Sequence, residues 1–277
     1  MFRRTFISGL TLTSICAAVG NVNAAQDTDI ELADPLPPLP QELAQFENDR
    51  PADYLQIVAV GTGKPSGKDI QTAYDLMVNA PYNCSPVEVA GYFRDVGQGK
   101  YGDDAKPFAR EWPKIANPII FHFFSATSTK PEGDVTAWCA AFLNWCIMRA
   151  HATEKDQIGK SPSNEYSKSG KLFDPTNFEK FATQNASSGS FRCWKAINSP
   201  KEGDIAVLAD KGTEGLTKLC LGQGHVTFFL SKIDKDHILA VGGNQVQAGS
   251  HGAVTHARLF VGQGSRFMKF VSVNKDV

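Results

Sequence analysis

The stretch Thr136–Arg149 reads T-A-W-C-A-A-F-L-N-W-C-I-M-R, and the fold expected for the chain is built outward from it. Thr136 is a suitable N-cap, because its hydroxyl can accept an orphan N–H of a first helical turn. That places Cys139 at about the third helical position. Ala141, Leu143, Trp145 and their neighbours make most of the stretch apolar, which predicts a buried central helix whose amino end alone reaches a surface. A thiol at that end feels the positive pole of the helix, which lowers its pKa and raises the thiolate fraction that attacks carbonyls. The plainer reading is a buried structural cysteine, since free cysteines are among the most buried residues.

Downstream the pattern is β. Pro200–Asp204 is a turn feeding a strand at Ile205–Leu208, and Val226–Ser231 and Ile238–Val241 flank the polar Lys232–Asp236 as a hairpin. A last strand is expected within Phe267–Val273. Upstream, Tyr54–Val60 is β-like, Ile70–Asn79 is helical, and Ser85-Pro86-Val87-Glu88 is a capping box with proline at the first helical position. Gly91–Asp104 reads as loop, Phe108–Phe124 as a mixed helical stretch, and Ala152–Ser190 as loops with short helices. Gly61–Lys68 lacks the spacing and hydroxyl of a phosphate loop and is a turn. Helices first and strands afterwards indicate α+β, with the central helix packed on an antiparallel sheet.

His225 opens the first hairpin strand after Gly222-Gln223-Gly224. Counting outward from the turn, Asn244 falls opposite it, and directly opposed residues have Cβ atoms roughly 4.5–5.5 Å apart. An Asn carbonyl beside an imidazole can fix its tautomer and leave the other ring nitrogen to take a thiol proton. Cys139, His225 and Asn244 thus form a candidate catalytic set that needs neither metal nor cofactor. His237 sits at the turn end of its strand. His251 and His256, flanking a loop, would suggest a metal site only with Cys193 or Cys220, and their spacing matches no common zinc pattern. His122 and His151 read as structural or surface residues.

The amino end predicts export from a bacterial cytoplasm. Arg3 and Arg4, the mostly apolar Thr5–Gly20 and Val22-Asn23-Ala24 form a cleavable leader at residues 1–24, with some likeness to a twin-arginine signal and too short for a stable membrane anchor. Residues 25–50 carry seven acidic residues, one basic residue and the run Pro35–Pro40, and read as a flexible or polyproline linker. A net charge of -1 without a basic run disfavours nucleic acid, and 42% hydrophobic content is ample for a core. Loss of Cys16 with the leader leaves Cys84, Cys139, Cys146, Cys193 and Cys220, an odd number that flags one free thiol in an oxidising compartment. Cys139 and Cys146 lie roughly 10.5 Å apart along one helix and cannot bridge each other. With Cys139 free, the other four allow three pairings, among which the residues do not choose.

Trp138-Cys139-Ala140-Ala141-Phe142-Leu143-Asn144-Trp145, Gly203-Asp204-Ile205, Gly224-His225-Val226 and Gly242-Gly243-Asn244-Gln245 together resemble the bacterial CHAP proteins. These are cysteine, histidine-dependent amidohydrolases and peptidases of papain-like fold, related to NlpC-type cell-wall peptidases. The resemblance implies a catalytic domain at 117–277 behind an N-terminal helical and loop region at 51–116. It implies Cys139 as nucleophile, His225 as general base and Asn244 as the residue orienting it. It further implies peptidoglycan as substrate, cut within the stem peptide or between the sugar and its first alanine, in the periplasm or outside the cell, with an inhibitor or partner protein as a further candidate ligand. Many family members carry an acidic residue two positions before this Asn, where this chain has Gly242. The competing expectation is a non-catalytic wall-binding or partner-binding protein that kept the fold, and an acyltransferase using the same thiol is a third.

Overall fold

The computed structural model describes residues 29–34, 36, 63–112, 115–131, 136–152, 182–210, 220, 222–245 and 252–274. The leader, Tyr54–Val60, His251 and most of Ala152–Ser190 lie outside the described residues.

Two helices begin at reciprocal capping boxes. Ser66 and Asp69 start α1 (Gly67–Asn79), and Ser85 and Glu88 start α2 (Pro86–Gly97), each hydroxyl accepting the N3 N–H while the N3 carboxylate accepts the cap N–H. The expected loop from Gly91 is overturned, because α2 runs on to Gly97. Val89, Phe93 and Val96 recur at helical spacing and are fully buried, so packing outweighs the weak helix propensity of Gly91, which has open space beside it. A 3-10 segment at Asp103–Ala109 leads to α3 (Pro118–Phe124), where Asn117 Oδ1 accepts the Ile119 N–H at 2.9 Å. The central helix is α4 (Cys139–Ala150), every residue of which is buried. Its N-cap is Trp138, which makes no side-chain cap hydrogen bond, so the expected cap at Thr136 is also overturned and Cys139 is the first helical residue.

The strands are β1 (Ile30–Leu32), β2 (Ala196–Ile197), β3 (Ile205–Ala209), β4 (Gly224–Lys232), β5 (His237–Gln245), β6 (Ala253–Phe260) and β7 (Phe267–Val271). They pair antiparallel in one sheet of order β1-β6-β5-β4-β3-β7-β2. The architecture is α+β, helices against an antiparallel sheet. The β4–β5 hairpin and the strands at Ile205 and Phe267 stand where the residue pattern predicts them. β6 replaces the loop expected beside His256: Val254 is buried on the helix face and Ala257 and Leu259 on the other, so the threonine and histidine between them do not break the alternation.

The sheet has two distinct faces. Ile205, Val207, Val226, Phe228, Val241 and Val254 share one core with α1, α2, α3 and α4. Ala206, Leu208, Phe229, Ala240, Ala257 and Leu259 form a second cluster on the other face. The first core crosses residue 117 without a break: Phe93 and Trp112 upstream pack in the same cluster as Phe123, Phe142 and Trp145 downstream. The helices are also tied by charge, since the buried Arg149 at the end of α4 donates to the carbonyls of Ala80 (3.0 and 2.7 Å) and Val78 (2.9 Å).

The stretch expected as linker supplies β1 at the sheet edge. It is anchored by Asp34, whose two oxygens accept from Arg94 Nε and Nη2 at 2.9 Å each and from the His256 N–H at 3.1 Å. Burial pushes the Asp34 carboxyl up, but the Arg94 and His256 contacts outweigh it and its pKa is lowered. Asp34→Ala is expected to cost about 1.5–3 kcal/mol in urea unfolding, the range for hydrogen bonds to charged groups. A change below about 0.5 kcal/mol would mean that β1 contributes little to the folded domain.

Candidate active site

Cys139 heads α4, is 3% exposed, and forms part of the wall of a cleft of about 440 Å³ together with Thr129, Thr136, Asn185, Ser187 and Gln223. Each wall has a local cause. Asn144, buried on α4, donates to Thr183 Oγ1 and accepts the Thr183 N–H, both at 2.7 Å, so the helix itself positions the segment leading to Asn185. Thr129 Oγ1 accepts the Ala186 N–H at 2.9 Å. Cys193 and Cys220 are disulfide-linked with Cα atoms 5.2 Å apart, joining the 3-10 segment Ser188–Cys193 to the loop before β4. The Gly189 N–H (3.0 Å) and the Ser187 hydroxyl (2.6 Å) both reach the Gly222 carbonyl, and Arg192 Nη2 donates to the Gln223 carbonyl. The cleft is thus framed by side chain-to-backbone bonds and one covalent staple.

The electrostatics of the thiol differ from the expectation. Burial raises the Cys139 pKa, while the N–H groups of Val226, Ala140 and Cys139 itself lower it by a smaller amount. The net direction is upward, the reverse of that expected from the helix pole alone. Desolvation wins because the sulfur is almost wholly enclosed. Those three N–H groups nonetheless form a cradle able to hold negative charge beside the sulfur.

The three residues expected to act together are not hydrogen-bonded to one another. Phe228 opposes Val241 and Phe229 opposes Ala240, as a count from the turn gives, but a shift between Phe229 and Ser231 sets Ser231 against Leu239 and Lys232 against Ile238, and His225 and Asn244 lie three residues beyond the pair Phe228 and Val241. Two features then separate the side chains. His225 pairs with Leu208, and Val226 with Val207. Val207 and Val226 face α4 whereas Leu208 faces away, so alternation carries the His225 imidazole to the sheet face opposite Cys139. Its Nε2 is buried and has no hydrogen-bond partner among the described residues. Asn244 has φ +55°, and the β5–β6 register shifts between Gly242 and Gln245, a bulge that re-aims its side chain. A Cβ built on Gly252 would lie 2.3 Å from Asn244 Oδ1 and 2.6 Å from Glu111 Oε1, which places the Asn244 amide beside Glu111.

Glu111 was not signalled by any motif. Its buried carboxylate accepts from Trp138 Nε1 at 2.9 Å and from the Gly252 N–H at 3.0 Å, joining the residue before Cys139 to the start of β6. Only tertiary contact brings these positions together. Gly242 also has a structural reason. A Cβ there would meet Thr227 Oγ1 at 2.5 Å and Gln245 Nε2 at 2.8 Å, leaving no room for the carboxylate that CHAP proteins often carry at this point. The space is taken by the Gln245 amide, which can bond Thr227 Oγ1, the Gly242 N–H and the Thr255 carbonyl at 3.0 Å each.

The other histidines are accounted for separately. His237 Nδ1 lies 2.9 Å from Asp234 Oδ1 in the turn, and His256 Nδ1 lies 3.4 Å from Asp34. Cys193 and Cys220 are committed to the disulfide, which removes the sulfur ligands of the weighed metal alternative.

Two imidazoles couple folding to pH. Burial lowers the pKa of His122 to about 4, and burial, with a smaller contribution from Arg266, lowers that of His225 to about 3. In the unfolded chain both titrate near 6.5, so below that pH the unfolded state binds more protons. Stability from each is therefore intact above 6.5 and lost as the pH falls toward the folded value, by up to roughly 1.4 kcal/mol per unit. Urea midpoints are expected to drop from pH 6.5 to about 4.5, less steeply in His225→Leu. Equal midpoints at both ends would contradict this account.

No helix among the described residues is long and apolar enough to cross a membrane. Comparison of the chain with protein-family models, with curated proteins and with solved structures returns no match.

Proposed function

We propose that the chain is an exported cysteine amidase or peptidase of papain-like, CHAP type that cleaves an amide bond of peptidoglycan. The observation that carries this reading is the place of Cys139, first residue of a buried helix, on the wall of a cleft with three N–H groups around its sulfur. In the proposed reaction the Cys139 thiolate attacks the amide carbonyl and the N–H groups at the helix start hold the oxyanion. His225 takes the thiol proton and gives it to the leaving amine, then takes a proton from the water that releases the acyl-enzyme and returns it to the Cys139 sulfur. The cleft's hydroxyl and amide side chains suit a peptide or amino-sugar substrate. His225 and Asn244 remain the proposed base and orienting residue. For His225 to act, the start of β4 has to turn the imidazole across the strand, next to Gly222 and Gly224, whose φ values of 104° and 154° lie outside the range of most residues.

A second reading has its own observation. The imidazole on the face away from a thiol whose pKa is raised leaves the sulfur without a base, which favours a protein that binds wall fragments without cutting them. One experiment separates the two. Purified peptidoglycan is incubated with the mature protein and with Cys139→Ala, with and without reductant, and soluble muropeptides are analysed by mass. New products absent from the variant support the amidase and name the bond. Equal silence, with both proteins pelleting with the wall, supports the binder.

A further inference from the structure

The cysteines left outside the cleft lie together. Cys193 and Cys220 are paired, and Cys139 belongs to the cleft wall. Cys84 and Cys146 remain, and both are thiols in this structure. Cys146 is fully buried on α4, and Cys84, half-buried in the α1–α2 connection, packs against the same core. The Cys84 N–H donates to the Ala150 carbonyl at 3.2 Å, and Ala150 stands four residues after Cys146, on the same face of the helix. Cys84 is also close enough that its charge adds to burial in pushing the Cys146 thiol up.

The connection that carries Cys84 is held against this end of α4 at further points. Arg149 donates to the carbonyls of Val78 and Ala80, and its guanidinium sits 5.0 Å from the centre of the Tyr82 ring. The backbone around Cys84 is thus already fixed on the helix, so a bond between the sulfurs needs little further ordering of the chain.

We propose that Cys84 and Cys146 form a second disulfide in the oxidised, exported protein, tying the α1–α2 connection to the central helix. The oxidant is a disulfide of the exchanging class, small-molecule or protein. Cys84, the accessible thiol, attacks one sulfur of the donor as thiolate and expels the other as a thiolate. Cys146, deprotonated, then attacks the Cys84 sulfur and expels the donor's second sulfur. The two protons lost by Cys84 and Cys146 pass through solvent to the donor's two sulfurs, two electrons reduce the donor disulfide to two thiols, and one new S–S bond remains. Cys139 is then the single free thiol of the mature chain. The inference uses no assumption about catalysis.

The test uses the full mature protein, equilibrated with oxidised and reduced glutathione until the Cys193–Cys220 bridge is complete. It is then denatured, alkylated without reductant, digested and analysed by mass. One alkylated cysteine, Cys139, and a linked peptide pair containing Cys84 and Cys146 are expected. In Cys84→Ser the expected count rises to two, Cys139 and Cys146. Alkylation of both Cys84 and Cys146 in wild type, or a bridge from either one to Cys139, overturns the proposal. The wild-type measurement decides it even if the variant fails to fold.

Discussion

Under the proposed amidase reaction, Cys139→Ala is expected to lower muropeptide release by a factor on the order of 10³ or more, because it removes the proposed nucleophile and leaves only what binding and the N–H cradle supply. The change deletes a single buried sulfur from the cleft wall. Its expected cost in stability is only about 1 kcal/mol, so circular dichroism and urea midpoints separate loss of chemistry from loss of fold. Cys139→Ser keeps the size and the three surrounding N–H groups while weakening the nucleophile, and should fall nearly as far. The partner variant is His225→Ala. A comparable fall would mean that the imidazole reaches the sulfur during turnover, against its ground-state position on the Leu208 face. Retained activity would assign the proton transfer to another group. Cleft residue Asp210 would then be the first to replace.

Phe123→Ala is expected to be the most destabilising simple truncation, at about 3–5 kcal/mol. Phe123 is 1% exposed and its ring meets four others: Phe142 at 5.0 Å, Phe93 at 5.1 Å, Trp145 at 5.8 Å and, stacked, Trp138 at 5.9 Å. Its removal leaves a cavity between α2, α3 and α4 that large rigid rings cannot easily collapse to fill. Because Trp138 immediately precedes Cys139, the loss should also loosen the head of the central helix. Urea denaturation of wild type and variant measures the cost, and a difference under about 1 kcal/mol would show that the aromatic cluster is more adaptable than its packing implies. The experiment also bears on domain organisation. If residues before 117 formed an independent unit, unfolding would become biphasic rather than shift as one transition.

The elements legible in the residues are those set by local chemistry. Ser85 with its N3 carboxylate starts a helix through bonds three residues long, so that cap can be read directly, whereas the equivalent box at Ser66 lies within the stretch read as a turn. The hairpin from Val226 to Val241 declares itself by alternation around a polar turn, and the counted register recurs at Phe228 and Val241. Burial of the whole Cys139–Ala150 helix follows from its composition. β6 was missed because the threonine and histidine within it resemble loop. The strand at Ile30–Leu32 was missed because an edge strand held by Asp34 and Arg94 needs only a few apolar residues.

By itself the sequence determined the class of fold, the cap at Ser85, the hairpin and the position of Cys139 near a helix start, since each depends on periodicity or on contacts within a few residues. Tertiary structure alone decided which sheet face His225 occupies, the left-handed turn of Asn244, the raised pKa of the enclosed thiol and the arrival of Glu111 beside Trp138. The physical reason is one of range. Strand alternation reverses a side chain's face with a shift of one residue, and desolvation depends on every atom packed around a group, so neither is carried by the residues adjacent in the chain.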